Sequence, residues 1–255
     1  MVSRRLLGSA FANALLVASL VVPSAALAAR QAEELAPGFS QCVKKAGSSE
    51  GALKGCLDAA QKYWDARLSE ENKETMSCLR ASLQDTVTTF HTAWLQYKKA
   101  GMELASVAGK DKPEISARTF SVKETKRQAL LLKNSMFDGN REELAPGYEL
   151  CQKKAESASC AAEFREIADG CLKSAKDYWE GVLSQQNNRY MKAWQDSPAK
   201  QQSVQNFQKA WTAYKEAGYD LIACGGGSMS STNAEIFIVQ ETRRHAKELT
   251  ILGLH

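Results

Sequence analysis

Three histidines in 255 residues is a small number: His91, His245 and His255, none with a second histidine three to five residues away. Zinc motifs depend on such spacing, so a zinc site, and with it a resident metal, is not expected. No Gly-Lys-Ser/Thr phosphate loop is present either. The glycine run Gly225, Gly226, Gly227 and Ser228 lacks that ending and follows a helical segment where a strand should stand, so it reads as a linker loop. The strict apolar/polar alternation of half-buried strands is hard to find anywhere. Basic residues number 33 against 29 acidic ones, with no dense basic stripe, which argues against a nucleic-acid binder. The acids are scattered too, and Glu70, Glu71 and Glu74 stand where a solvated helix face would put them. Spacing alone leaves open a Cys–His pair that meets only in the fold, but the cysteines read as structural. No cofactor is expected, and the chain reads as a non-enzyme.

The N-terminus reads as an export signal. Arg4 and Arg5 precede an apolar run from Leu6 to Val22, Pro23 breaks it, and Ala26-Leu27-Ala28 has the small-x-small form a signal peptidase accepts. Cleavage before Ala29 is expected, leaving no membrane attachment. No cysteine follows at once, so a lipid anchor is not expected. Residues 1–28 carry two arginines and no acid, so 31 basic residues face 29 acidic ones afterwards, net +2. Seven cysteines in an exported chain fit an oxidising compartment, the periplasm or the exterior.

The strongest signal is internal repetition. EELAPGF at 33–39 returns as EELAPGY at 142–148, and GCLDAAQKYWDARLS at 55–69 as GCLKSAKDYWEGVLS at 170–184. FHTAWLQYKKAG at 90–101 returns as FQKAWTAYKEAG at 207–218, and KETKR at 123–127 as QETRR at 240–244. The offset grows from 109 to 115 to 117 residues, so the second copy carries about eight extra residues, six of them between Cys151 and Cys171. The expected organisation is a signal peptide (1–28) and two homologous units (29–140 and 141–255), each long enough for a modest core. The linker from Asn134 to Asn140 leaves open whether they pack as a pseudo-twofold pair or hang as separate beads.

Each unit reads as a helical bundle of three to four helices, an all-α fold. Leu53, Leu57, Ala60, Trp64 and Leu68 recur at helical spacing and mark one buried face, continued by Thr75 or Met76 and Leu79. Ser197-Pro198 opens a helix with a capping serine and a proline at its first position. Thr232-Asn233-Ala234-Glu235 has the form of a capping box, followed by a stripe through Ile238, Thr242, His245, Leu249 and Leu252. Phe90, Trp94, Tyr97 and Gly101 share one stripe, as do Phe207, Trp211, Tyr214 and Gly218. With Trp64 and Trp179 these aromatics are expected in the core, the two glycines letting a neighbour approach closely. His245 is expected to be packed.

Cys42 and Cys56 flank the turn Gly47-Ser48-Ser49, and Cys151 and Cys171 are their counterparts, so two disulfides are expected. Closing a loop of 15 residues stabilises by roughly 3 kcal/mol in the chain-entropy model. Cys160 in the insertion and Cys224 before the glycine run are a possible third pair, though spacing does not settle connectivity. Cys78 would remain as a buried, inert thiol.

In order, the early cysteine, the Cys-Leu pair, the acid and Leu one turn apart, Trp-x-x-Tyr with a lysine and the Thr-x-Arg helix resemble the LprI-like lysozyme inhibitor family. Here these are Cys42, Cys56-Leu57, Asp65, Leu68, Trp94, Tyr97-Lys98 and Thr125 to Arg127, then Cys151, Cys171-Leu172, Glu180, Leu183, Trp211, Tyr214-Lys215 and Thr242 to Arg244. The family's further cysteine pair has no counterpart: Met102 and Thr119 stand near those places in the first copy, Tyr219 and Ile236 in the second. The resemblance implies a periplasmic or secreted protein that binds a lysozyme or another peptidoglycan hydrolase and blocks its cleft. A blocker needs a protruding loop, and the candidates are Val107 to Glu114 (with Lys110, Asp111 and Lys112) and Gly225 to Thr232. The alternative is an envelope interaction or immunity module that grips another periplasmic partner in a groove between the two units.

Overall fold

The computed structural model describes residues 34–78, 81–109, 111–134, 144–224 and 230–252, apart from the side chains of Cys78 and Ser82. The signal segment, the turn Asp138-Gly139-Asn140, Lys110, the glycine run Gly225 to Ser228 and the environment expected for Cys78 lie outside the described residues. Eight helices account for most of what is described, and no strand occurs there. They are α1 (Phe39–Ala46), α2 (Glu50–Cys78), α3 (Ala81–Ala108), α4 (Pro113–Lys133), α5 (Tyr148–Glu156), α6 (Ala161–Ala193), α7 (Pro198–Cys224) and α8 (Ser230–Leu252). None of the described helices is long and apolar enough to cross a membrane.

The first repeated phrase has a backbone reason. Gly38 and Gly147 have φ of 78° and 81°, the left-handed region that glycine enters without strain, and each turns the chain into α1 or α5. The indole N–H of Trp64 donates to the Leu35 carbonyl, and that of Trp179 to the Leu144 carbonyl at 2.6 Å. The Leu-Ala-Pro-Gly segment and the Tyr-Trp of the long helix are therefore repeated together because one ties down the other.

Cys42–Cys56 and Cys151–Cys171 are disulfide-bonded, with Cα separations of 5.8 and 5.7 Å, as the sequence predicts. Around them sit two small matching clusters. One holds Leu35, Phe39, Leu57, Ala60 and Val122, the other Leu144, Tyr148, Leu172, Ala175 and Val239.

The large core belongs to both halves of the chain. Helices α3 and α7 form the most extensive helix pair in the molecule, and α2 and α6 lie on α4 and α8. Phe90, Trp94, Tyr97 and Leu104 join Phe207, Trp211, Tyr214 and Leu221 in one continuous cluster. Trp94 and Trp211 are 1% and 5% exposed, so the aromatic stripes are core, as expected. Tyr97 stacks on Phe207 (5.0 Å between centroids), Phe90 on Tyr214 (5.1 Å), and Tyr97 on Tyr214 (5.5 Å). A Cβ on Gly101 would enter the Phe120 ring and meet Phe207 at 2.8 Å; one on Gly218 would enter Phe237 and meet Phe90 at 3.1 Å. All described residues belong to one compact unit that begins at Glu34.

Three further expectations need correction. Cys160 and Cys224 are not bonded to each other; both thiols are free and exposed. Cys160 precedes α6, which packs on α8 and only sparsely on α7, the helix that ends at Cys224. Glu71 is buried, held by Arg67 at 3.1 Å, because it continues the inward face of Leu57, Trp64 and Leu68. Helix α8 already runs at Ser230, so Thr232 lies inside it and is no cap. Helix α7 does begin at Pro198, with Gln201 N–H donating to the Ser197 carbonyl.

Candidate functional site

Four charged side chains close a ring where α4 passes α8. Glu124 and Arg127 lie one turn apart on α4, and Glu241 and Arg244 stand at the matching places on α8. Within each helix, Arg127 Nε meets Glu124 Oε2 at 3.1 Å and Arg244 Nη2 meets Glu241 Oε2 at 2.9 Å. Across helices, Arg127 Nη1 reaches Glu241 Oε1 at 2.9 Å and Arg244 Nη1 reaches Glu124 Oε1 at 2.7 Å. Each carboxylate is thereby held by both guanidinium groups, which is what a buried charge requires. Burial pushes the Glu124 carboxyl up, but Arg127 and Arg244 outweigh it and leave the group below its usual range. Burial also opposes the charge on both arginines, yet the two carboxylates hold them above their ordinary value.

The ring rests on the aromatic core with the same exchange of halves. The Arg127 guanidinium lies over the Tyr214 ring and that of Arg244 over Tyr97, both at 5.2 Å. Arg127 Nη2 also donates to Tyr214 Oη at 3.0 Å. Burial raises both phenols well above their ordinary range.

His245 is enclosed, as expected for a packed histidine: fully buried, and stacked on Trp211 with centroids 4.6 Å apart. Gln208 Nε2 donates to its Nε2 at 2.9 Å, which leaves the ring proton on Nδ1, facing Tyr97 Oη at 3.4 Å. Burial, then Arg244 and Lys215, push its pKa well below the normal histidine value, so the ring is neutral. The repeat places His91 opposite Gln208 and Gln128 opposite His245, so the same two residue types have changed places between the halves. In the first half the pair is not joined: His91 Nδ1 and both amide atoms of Gln128 are buried with no hydrogen-bond partner among the described residues.

Of the expected loop residues, Asp111 and Lys112 are exposed in a connection of four residues between α3 and α4. The Lys112 N–H donates to the Gly109 carbonyl at 2.7 Å, which makes this a tight turn. The other candidate loop lies outside the described residues, except Ser230 to Thr232, which are helical.

Two clefts open on the surface at matching places. One, of about 340 Å³, is floored by Leu57, Met102 and Val122 with Asp58, Glu114 and Arg118 at its rim. The other, of about 280 Å³, is lined by Lys176, Lys215, Tyr219 and Glu235 among others. No group of three or more His, Cys, Asp or Glu suited to a metal ion occurs among the described residues.

The sequence marked KETKR and QETRR as a repeat, and the charge ring went unnoticed. Its signal was there: Glu and Arg three apart, repeated at an offset of 117, put both charges on one helix face. The Gln208–His245 bond had no local signal.

Comparison with protein-family models, with curated proteins and with solved structures found no match.

Proposed function

We propose that this chain is an exported binding protein without catalytic activity, built by tandem duplication of an LprI-like unit, and that it blocks the cleft of a lysozyme-type muramidase. The signal-like N-terminus and the two stapled cysteine pairs support export. The observation that carries the binding reading is a pair of exposed tyrosines. Tyr63 on α2 and Tyr178 on α6 stand at matching places, 40% and 45% exposed, each edge-on to the tryptophan beside it (5.1 and 5.0 Å). The tryptophans anchor the chain through their indole bonds; the tyrosines keep nearly half of their surface open to solvent, and tyrosine is enriched where proteins recognise partners. Recognition on this reading lies on the outer faces of α2 and α6, where these tyrosines stand, and not on the α3–α4 turn, whose four residues are too short to enter a cleft.

The test is a lysis assay. Residues 29–255 should slow lysozyme action on a peptidoglycan suspension at near-stoichiometric ratios, and Tyr63→Ala with Tyr178→Ala should weaken the effect. No inhibition across several lysozyme classes removes the reading.

One observation favours the alternative, an envelope interaction or immunity module for another periplasmic partner. A net charge of +2 after signal removal gives no electrostatic steering towards basic lysozymes. Capture of one non-lysozyme partner from an envelope extract, lost in the tyrosine variants, would favour it.

A further inference from the structure

The repeat supplies an internal control for the two clefts. Lys176 stands where Gln61 does, Tyr219 where Met102 does, and Glu235 where Arg118 does. In the first cleft the polar groups are engaged with one another. Arg118 bonds Asp58 and, at 3.1 Å, Glu114; Lys54 bonds Glu114; and Ser121 Oγ donates to Gln61 at 2.8 Å. Lys98, on α3, likewise donates to Thr125 Oγ1 at 2.7 Å.

The second cleft keeps the shape and not the pairing. Lys176, Lys215, Glu216, Asp220 and Glu235 form no hydrogen bond or ion pair with any described residue. Lys215 is the counterpart of Lys98, and its ammonium lies 4.4 Å from the centroid of the Trp211 ring, which fixes its position without using its hydrogen-bond donors. Burial lowers its pKa; Glu180, Glu216 and Glu235 act against that shift and Lys176 with it. Two lysines and three carboxylates thus line one small cleft without an ion pair between them, and Tyr219 stands among them.

The geometry points to a binding site for a small zwitterion, a free amino acid or a dipeptide, with its carboxylate between Lys176 and Lys215 and its ammonium towards Glu216, Asp220 and Glu235. An anion alone would meet the carboxylates and a cation alone the lysines; a molecule with both charges satisfies each side. The volume of about 280 Å³ lies just below the range of pockets that take drug-sized ligands, which suits a molecule of one or two residues. This site is independent of the muramidase reading.

The experiment is a calorimetric or NMR titration of residues 29–255 with alanine, alanyl-alanine, N-acetylalanine and alaninamide. The expected result is saturable one-to-one binding of alanine or alanyl-alanine, whichever size fits better. The two singly charged analogues should bind about tenfold or more weakly, the usual cost of losing one charged hydrogen-bonding group. Lys176→Met should cause a similar loss. Lys215→Met, which keeps the cover over Trp211, should do the same, while Gln61→Ala in the other cleft changes nothing. The site is ruled out if neither zwitterion saturates, if singly charged analogues bind equally well, or if Lys176→Met leaves the affinity unchanged.

Discussion

Arg127 and Glu241 are 114 residues apart in the chain and 2.9 Å apart in the fold. The bond has a mirror in Arg244 and Glu124 at 2.7 Å, and together they join α4 to α8 in a closed ring of alternating charge. Opening that ring is costly because the carboxylates stay buried: Glu124 is 2% and Glu241 5% exposed. Arg127→Met should destabilise by about 3 kcal/mol. Replacing all four residues with apolar ones should restore much of the loss, since no charge is then left unpaired. Urea unfolding measures both, and a single-variant loss under about 0.5 kcal/mol, the size of an ordinary surface effect, would contradict the ring's place in the core.

Two kinds of glycine should respond in opposite directions. Gly101→Ala and Gly218→Ala push a methyl into Phe120 and Phe237, and should each cost about 1–3 kcal/mol. Gly181, inside α6, has nothing within 4 Å of its missing Cβ, so Gly181→Ala should stabilise by about 0.5–1 kcal/mol. Thermal unfolding of the three variants reads the contrast.

His245 should make stability fall as the medium becomes acidic. Its folded pKa is held far below the unfolded value near 6.5, so below about pH 6.5 the unfolded chain takes up a proton that the folded one refuses. The stability it contributes is complete above pH 6.5 and is lost as pH falls towards the folded pKa, by up to about 1.4 kcal/mol per pH unit. His91, lowered by burial and by Lys98, acts in the same direction. His245→Gln, the residue found at the matching position 128, should flatten the slope between pH 6.5 and 5. An unchanged slope would mean that His245 takes up its proton equally in the folded and the unfolded chain.

Peptide mapping without reduction should recover Cys42 joined to Cys56 and Cys151 joined to Cys171. Cys160 and Cys224 should be alkylated in the native protein, as exposed thiols are. A Cys160–Cys224 peptide would contradict the splayed arrangement of α6 and α7.

Much of the fold was legible in the sequence because helical periodicity is local. The spacing of Phe90, Trp94, Tyr97 and Gly101 marks a buried face whatever that face meets, and the Cys42–Cys56 staple follows from one short turn. What that face meets was not legible. Tyr97 stacks on Phe207 and Tyr214, more than a hundred residues away, and no pattern around position 97 names them. Glu71 shows the same limit: beside Glu70 and Glu74 it reads as solvated, yet the helix turns it inward. Of the candidate site, Trp94 and Trp211 were legible as core, whereas Trp64 and Trp179, expected there too, are only partly buried, each at the edge where its indole reaches the Leu-Ala-Pro-Gly segment. The solvent-facing Tyr63 and Tyr178 were not legible, because a repeated aromatic gives no sign of which way it points.

The central claim is that the two halves of the chain share one core and do not stand as separate bundles. Its most direct measurement is a protease site placed between positions 135 and 140, cut in the folded protein and followed by size-exclusion chromatography with light scattering. The halves should travel together at the mass of the uncut chain and unfold in a single transition. Two folded halves eluting separately, each at half the mass, would contradict it.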